Sequence, residues 1–322
     1  MNSKYSLVCQ PLLDNFTTLK SSYKWDNDLS KWLIAVAYAV QKKTMRIDDI
    51  KLMQNHIKKS TGMFSPFRST SLLTLSGLLC LNNAEPRASF DVMNDNYTIL
   101  KKAGFKQTTY LPIALYTLNQ LYEGSDYSSY ADQAIEIYRE MKSNHPILTG
   151  GDDYALAILL VNERNKLDKI EALYQALKNR GFTVANGLQM MSHILTFSDE
   201  PVEVLADRCR HINESLKQNK LKVYPDYYAS IALIALTGIE SAIEDLIEVA
   251  LYIKSQKQAR WLSKGMVVML ASAIVTTSLI ENAEDQVIIT SLKVSIQAII
   301  TAQQAAMIAA VSASTAAAAA SS

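Results

Sequence analysis

"ILKKAGFKQTTYLPIALYTL" at 99–118 and "ALKNRGFTVANGLQMMSHIL" at 176–195 follow one template. Each is the end of an amphipathic helix, a Gly-Phe stop, a short polar loop and then an apolar helix. Gly104 and Gly181 suit the left-handed position that closes a helix. A second template joins "HIKKSTGMFSPFRSTSLLTLSGLL" (56–79), "EMKSNHPILTGGDDYALAILL" (140–160) and "SLKQNKLKVYPDYYASIALIAL" (215–236). Lys58, Lys142 and Lys217 fall in equivalent places, a period of roughly 75–85 residues. A period that long holds two helical hairpins per unit.

Apolar spacing sorts the helices into two kinds. In "YADQAIEIYREMKS" (130–143), Ala131, Ile135, Tyr138 and Met141 share one side, so the other side faces water. By contrast "WLIAVAYAV" (32–40), "ALAILL" (155–160), "IALIAL" (231–236) and "MVVMLASAIV" (266–275) are apolar nearly all round and need cover on most sides. The two kinds alternate. Half-exposed helices are predicted near 5–22, 46–59, 88–103, 127–143, 166–180, 201–218 and 240–256. Buried ones follow near 29–42, 70–82, 110–122, 152–163, 185–197, 226–238 and 261–280, and a last helix runs from about 283 into the low 300s.

This alternation predicts an all-α fold of about fifteen helices, a two-layer α/α helical-hairpin repeat array. It is either a strongly curved solenoid or a closed α/α toroid. Residues 1–312 are expected to form a single domain. The Ala-rich end, "AAMIAAVSASTAAAAASS", is expected to fray into a low-complexity tail over 313–322.

Composition agrees with long helices. Apolar residues make up 49%, enough for a sizeable core, and 10 Gly with 7 Pro leave few tight turns. A formal net charge of +1 gives no global pull toward nucleic acid or an anionic bilayer. Cys9, Cys80 and Cys209 are far apart and form no CxxC pair. They suggest neither a disulfide framework nor a zinc site, and a reduced, cytoplasmic setting is the expectation. No signal peptide is read at the N-terminus. The longest apolar stretch, 265–280, is too short and too rich in Ser and Thr to span a bilayer, so no membrane insertion is expected.

In an antiparallel two-layer wall the outer-to-inner turns gather at one end. Those turns are the longer set, and long loops gathered at one end are where binding groups usually reside. They carry the residues that read as ligand-binding candidates: Trp32, Phe67, Arg68, Tyr110, Asp226, Tyr227 and Trp261. An aromatic-lined mouth with a few polar groups is the usual composition of a small-ligand pocket. Inner-to-outer turns such as "NERNK" (162–166) and "SDEP" (198–201) read as plain connectors.

Asp152, Asp153 and His145 are the catalytic candidates, and each has a structural reading beside the chemical one. Two acids before an apolar helix suit an N-cap and a first-turn charge. Asp226, and Ser69 with Thr70, fill the matching places in the other copies, which favours capping. One aspartate suffices for that, and the other is the better functional candidate. His145 before Pro146 suits a bond to helix-end carbonyls. Arg68 suits either a bidentate clamp on a carboxylate or phosphate, or a pairing with a neighbouring acid. No metal site is read, because His56, His193 and His211 lack HxxxH or HExxH spacing. No cofactor is indicated.

"MFSPFRS" (63–69), "HPILTGGDDYALAILL" (145–160) and the Ala-rich end (305–322) resemble a bacterial family catalogued as domain of unknown function 4003. The resemblance covers essentially the whole chain. It implies a compact single-domain cytoplasmic protein of Gram-positive bacteria and carries over no functional residue. The leading expectation is a non-catalytic helical-repeat protein that binds a protein partner or small ligand at the loop-rich end. The alternative is an enzyme with a funnel-shaped site, acting on a sugar, a lipid-like or a phosphorylated substrate.

Overall fold

The computed structural model describes residues 3–69, 71–122, 126–162 and 167–281. Fourteen α-helices are found among them and no strand. In chain order they are α1 Ser3–Ser22, α2 Asp28–Val40, α3 Ile47–Ser60, α4 Leu72–Asn82, α5 Pro86–Ala103, α6 Leu111–Leu121 and α7 Tyr127–Asn144. Then come α8 Tyr154–Leu159, α9 Leu167–Asn179, α10 Asn186–Leu195, α11 Val202–Gln218, α12 Tyr228–Leu236, α13 Ser241–Ser255 and α14 Lys264–Glu281. The expected last helix and the tail at 313–322 lie outside the described residues, as does Thr70.

The largest departure is at α8, expected over 152–163 and found over six residues. A 3-10 turn, Gly151–Asp153, takes up its first residues. Similar 3-10 turns, Pro66–Arg68 and Pro225–Tyr227, precede α4 and α12, the other two copies of the second template. Proline at the first position of each supplies the backbone angle that starts such a turn.

Two compact units form among the described residues: those within 14–162, and residues 3–13 with 167–281. In the first, α2 packs on α4, α4 on α6 and α6 on α8, while α3 packs on α5 and α5 on α7. In the second, α10 packs on α12 and α12 on α14, while α9 packs on α11 and α11 on α13. Burial follows the sequence pattern. In α3 only Ile50, Met53 and Ile57 are buried, one stripe at helical spacing. In α12 every residue from Tyr228 to Leu236 is buried. Each fully buried Leu or Ile there contributes about 1.5–3 kcal/mol.

The two Gly-Phe stops close in a similar way. Gly104 and Gly181 have φ of 117° and 85°, left-handed conformations that only glycine adopts without strain. The Phe105 N–H donates to the Leu100 carbonyl at 3.1 Å, and the Phe182 N–H to Leu177 at 3.2 Å. These bonds satisfy carbonyls left open at the helix ends. A tyrosine then clamps each loop. Tyr154 meets Phe105 edge-on at 4.9 Å and its hydroxyl accepts from the Lys106 N–H at 3.2 Å. Tyr228 meets Phe182 edge-on at 5.0 Å and accepts from the Thr183 N–H at 3.3 Å. Tyr154→Phe and Tyr228→Phe each remove one such bond. Each is expected to lower unfolding free energy by about 1 kcal/mol, and by equal amounts, in urea titrations. A loss at one position only would show that the two clamps are not equivalent.

Candidate functional site

The turn before α8 is built tightly. The His145 carbonyl accepts from the N–H groups of Leu148 and Thr149 at 3.2 and 3.0 Å, and its own N–H closes α7 on Met141 at 2.9 Å. Lys142 Nζ donates to the Thr149 carbonyl at 2.5 Å, and Thr149 Oγ1 to Met141 at 3.1 Å. Gly151 lies against Thr108: a Cβ there would stand 3.1 Å from its hydroxyl oxygen. This contact brings the loop holding Tyr110 alongside the two aspartates.

Asp153 is 0% exposed. Its Oδ2 accepts the Gly150 N–H at 2.8 Å, so it reaches backward to close the 3-10 turn. It makes no side-chain cap bond to the first N–H groups of α8. Its Oδ1 is buried with no hydrogen-bond partner among the described residues. Burial, and then the charge of Asp152, push its carboxyl up to about 8, against the Gly150 bond and Lys142. At neutral pH it is largely protonated. Burial and the charge of Asp152 also raise Tyr110. Tyr138, raised first by burial and then by Tyr154 and Asp153, reaches about 12. Asp152, Asp153 and Tyr110 thus form one electrostatic group.

The other candidates in residues 14–162 serve the packing. Trp32 is buried and stacks on Phe16 with centroids 3.8 Å apart. Phe67 is buried against Phe90 and Tyr97. Arg68 closes the end of α3: its guanidinium donates to the carbonyls of Lys58 and Thr61 and, at 3.2 Å, to Thr61 Oγ1. Its partners are backbone carbonyls and a hydroxyl, and among the described residues no ion pair with an acid is found.

In the second unit Asp226 is exposed in its 3-10 turn. Tyr227 is buried with its ring over Gly265, and its hydroxyl accepts from Ser263 Oγ at 3.3 Å. Trp261 is 82% exposed, with the Arg260 guanidinium 4.8 Å from its ring centre. That is a cation–π contact.

Cavities open at connectors the sequence reading passed over. One of about 570 Å³ lies at the α4–α5 turn, lined by Asn82, Asn83, Ser89, Asn119 and Tyr127 together with Ala84, Glu85, Ala88 and Val92. A neighbour of about 380 Å³ shares Asn83 and Glu85 and adds Asp49, Cys80 and Arg87. The amides come from the C-terminal ends of α2, α4 and α6. Gln41 Nε2 donates to Asn82 Oδ1 at 2.8 Å, and Asn82 Nδ2 to the Tyr116 hydroxyl. Asn119 Nδ2 donates to Ser89 Oγ and Ser89 Oγ to Asn83 Oδ1, both at 2.9 Å. Gln120 also donates to Asn83 Oδ1, and Tyr127 to Asn119 Oδ1, at 3.3 and 3.2 Å. The signal in sequence was the recurrence of Gln41, Asn82-Asn83 and Asn119-Gln120 at inner-helix ends.

Among the described residues no group of three or more His, Cys, Asp and Glu stands close enough to hold a metal ion. No helix there is long and apolar enough to cross a membrane.

No solved structure matches the chain. It is 30% identical to the uncharacterized protein YeaA of Bacillus subtilis (strain 168) over 302 residues, 90% of each chain. A family model described as protein of unknown function (DUF4003) matches residues 15–305. With nine-tenths of its length aligned, and the Gly-Phe stops and the Asp-Asp turn inside the match, the chain belongs to that family.

Proposed function

We propose that the protein is a non-catalytic helical-repeat protein that meets a protein partner through its outer-to-inner turns. The supporting observation is where large apolar side chains reach solvent. Of twelve such residues among those described, seven (Trp25, Met63, Phe64, Ile147, Val184, Tyr224 and Trp261) lie on these turns. Trp25, Ile147 and Phe64 are 98, 95 and 93% exposed. Exposed aromatics that gather in one kind of turn are a feature of contact surfaces, where Trp and Tyr supply most of the binding energy. Basic residues accompany them in the second unit, with Lys222 over the Tyr224 ring at 4.8 Å and Arg260 over Trp261, which favours an acidic partner face.

The enzyme reading draws on the raised carboxyl of Asp153 beside Asp152. Its complete burial and its bond to Gly150 weigh against contact with a substrate. Photo-cross-linking residues placed at Trp25, Phe64 and Ile147 test the binding reading, with Leu52 and Val92 on outer helices as controls. Adducts of one defined mass are expected at the turn positions and absent at the controls, in the cells that make the protein. Adducts at neither set, or equally at both, would sink the proposal.

A further inference from the structure

We infer that the cavity at the α4–α5 turn is a binding site for a neutral, polyhydroxylated small molecule, a sugar or cyclic polyol. The inference starts from a hydrogen-bond account of its walls. An amide offers two N–H donors and two acceptor lone pairs, and a hydroxyl one donor and two lone pairs. Asn82 gives one N–H to Tyr116 and receives one bond from Gln41. Asn119 gives one to Ser89 and receives one from Tyr127. Asn83 gives one N–H to the Leu79 carbonyl and receives from Ser89 and Gln120, which fills its oxygen. Ser89 gives one and receives one.

What remains is one N–H each on Asn82, Asn83 and Asn119, and one lone pair each on Asn82, Asn119 and Ser89. Donors and acceptors are balanced, and exchanging amide O and N changes the assignments but not the balance. A phosphate or carboxylate would use only the donors and leave the acceptors of Asn82, Asn119 and Ser89 unmet, while an ammonium would do the reverse. A hydroxyl is donor and acceptor at once, so a ring of hydroxyls satisfies both sets.

Charge adds a smaller bias. The C-terminal ends of α4 and α6 meet the N-terminal turns of α5 and α7 at this cavity, so the helix-end charges oppose one another, and Glu85 on the rim disfavours anions. The remaining lining suits the C–H faces of a sugar ring: the Tyr127 ring, Ala84, Ala88 and Val92. About 570 Å³ is within the range of small-ligand pockets and holds a monosaccharide. The amides are already fixed to one another, so little side-chain freedom is lost on binding.

The test is ligand-detected NMR of the full chain with glucose, N-acetylglucosamine and myo-inositol, beside glucuronate and glucosamine as anionic and cationic counterparts. At least one neutral probe is expected to bind with a Kd of about 1 mM or tighter. It should bind at least tenfold more weakly to Ala88→Trp and to Val92→Trp. Both positions are exposed, so the indole fills the cavity mouth without entering the core, and a melting temperature matching the wild type verifies the fold. Ser89→Ala, which leaves the cavity open, should weaken binding by a smaller factor. Three results each overturn the inference: no neutral probe binds, a charged counterpart binds more tightly, or both tryptophan variants bind as the wild type does.

Discussion

Asp153→Asn is expected to unfold at clearly higher urea than the wild type at pH 9, and at nearly the same urea at pH 5. The folded protein holds the Asp153 carboxyl near 8 against an ordinary value of 3.8, because the group is buried beside Asp152. Between those two values the unfolded chain has lost the proton and the folded chain keeps it. Stability therefore falls as pH rises from about 4 to about 8, then levels off once both states are ionised. About four pH units at 1.36 kcal/mol each bound the loss at the order of 5 kcal/mol. Asparagine keeps an oxygen for the Gly150 N–H and carries no charge to bury. At pH 5 its extra unpaired N–H should cost no more than about 1–2 kcal/mol. Subtracting the two pH profiles isolates this one group from every other titration. Parallel profiles would mean that Asp153 ionises freely and that its burial has been misjudged.

The same residue shows what a sequence carries and what it omits. Two acids before "YALAILL" are legible as a helix start, and the helix is there. The direction in which a side chain turns is not legible: nothing in the sequence says that Asp153 bonds backward to Gly150. Arg68 is similar. Two of its partners are the backbone carbonyls of Lys58 and Thr61, which every residue type possesses, so their sequence does not announce the contact. Trp32, Phe67 and Tyr227 sit beside loops in the chain and inside the core in space. An aromatic at a helix start serves as a plug as readily as a platform. The helices themselves were legible because apolar spacing is a local property, repeated over several turns in each of them. The cavity was not, since it needs Asn83, Ser89 and Asn119 from three separate segments to converge.

Gly187→Ala should destabilise the protein strongly, although helix propensity alone predicts a gain of about 1 kcal/mol at a helical glycine. Gly187 lies in the first turn of α10, pressed against the 3-10 turn that starts α12. A Cβ there would stand 1.8 Å from the Pro225 carbonyl oxygen and 2.6 Å from its carbon. Those are backbone atoms, so no rotamer change relieves the overlap. Either α10 or the Pro225–Tyr227 turn must shift, and that turn also seats Tyr227 against Gly265, where a Cβ would stand 2.2 Å from the ring. Overpacking of this kind costs about 3 kcal/mol, at the upper end of the usual range. For a unit of this size that lowers the melting temperature by roughly 6–12 °C. Gly181→Ala supplies the contrast. Its φ of 85° strains an alanine, yet nothing lies within 4 Å of the added Cβ. The cost there is that of a left-handed residue, about 1–2 kcal/mol. If Gly181→Ala proved the more damaging of the two, the close seating of the α12 turn on α10 would be wrong. The expected order, with Gly187 far the more sensitive, would instead show that a glycine in helical conformation is held there by the backbone lying across it.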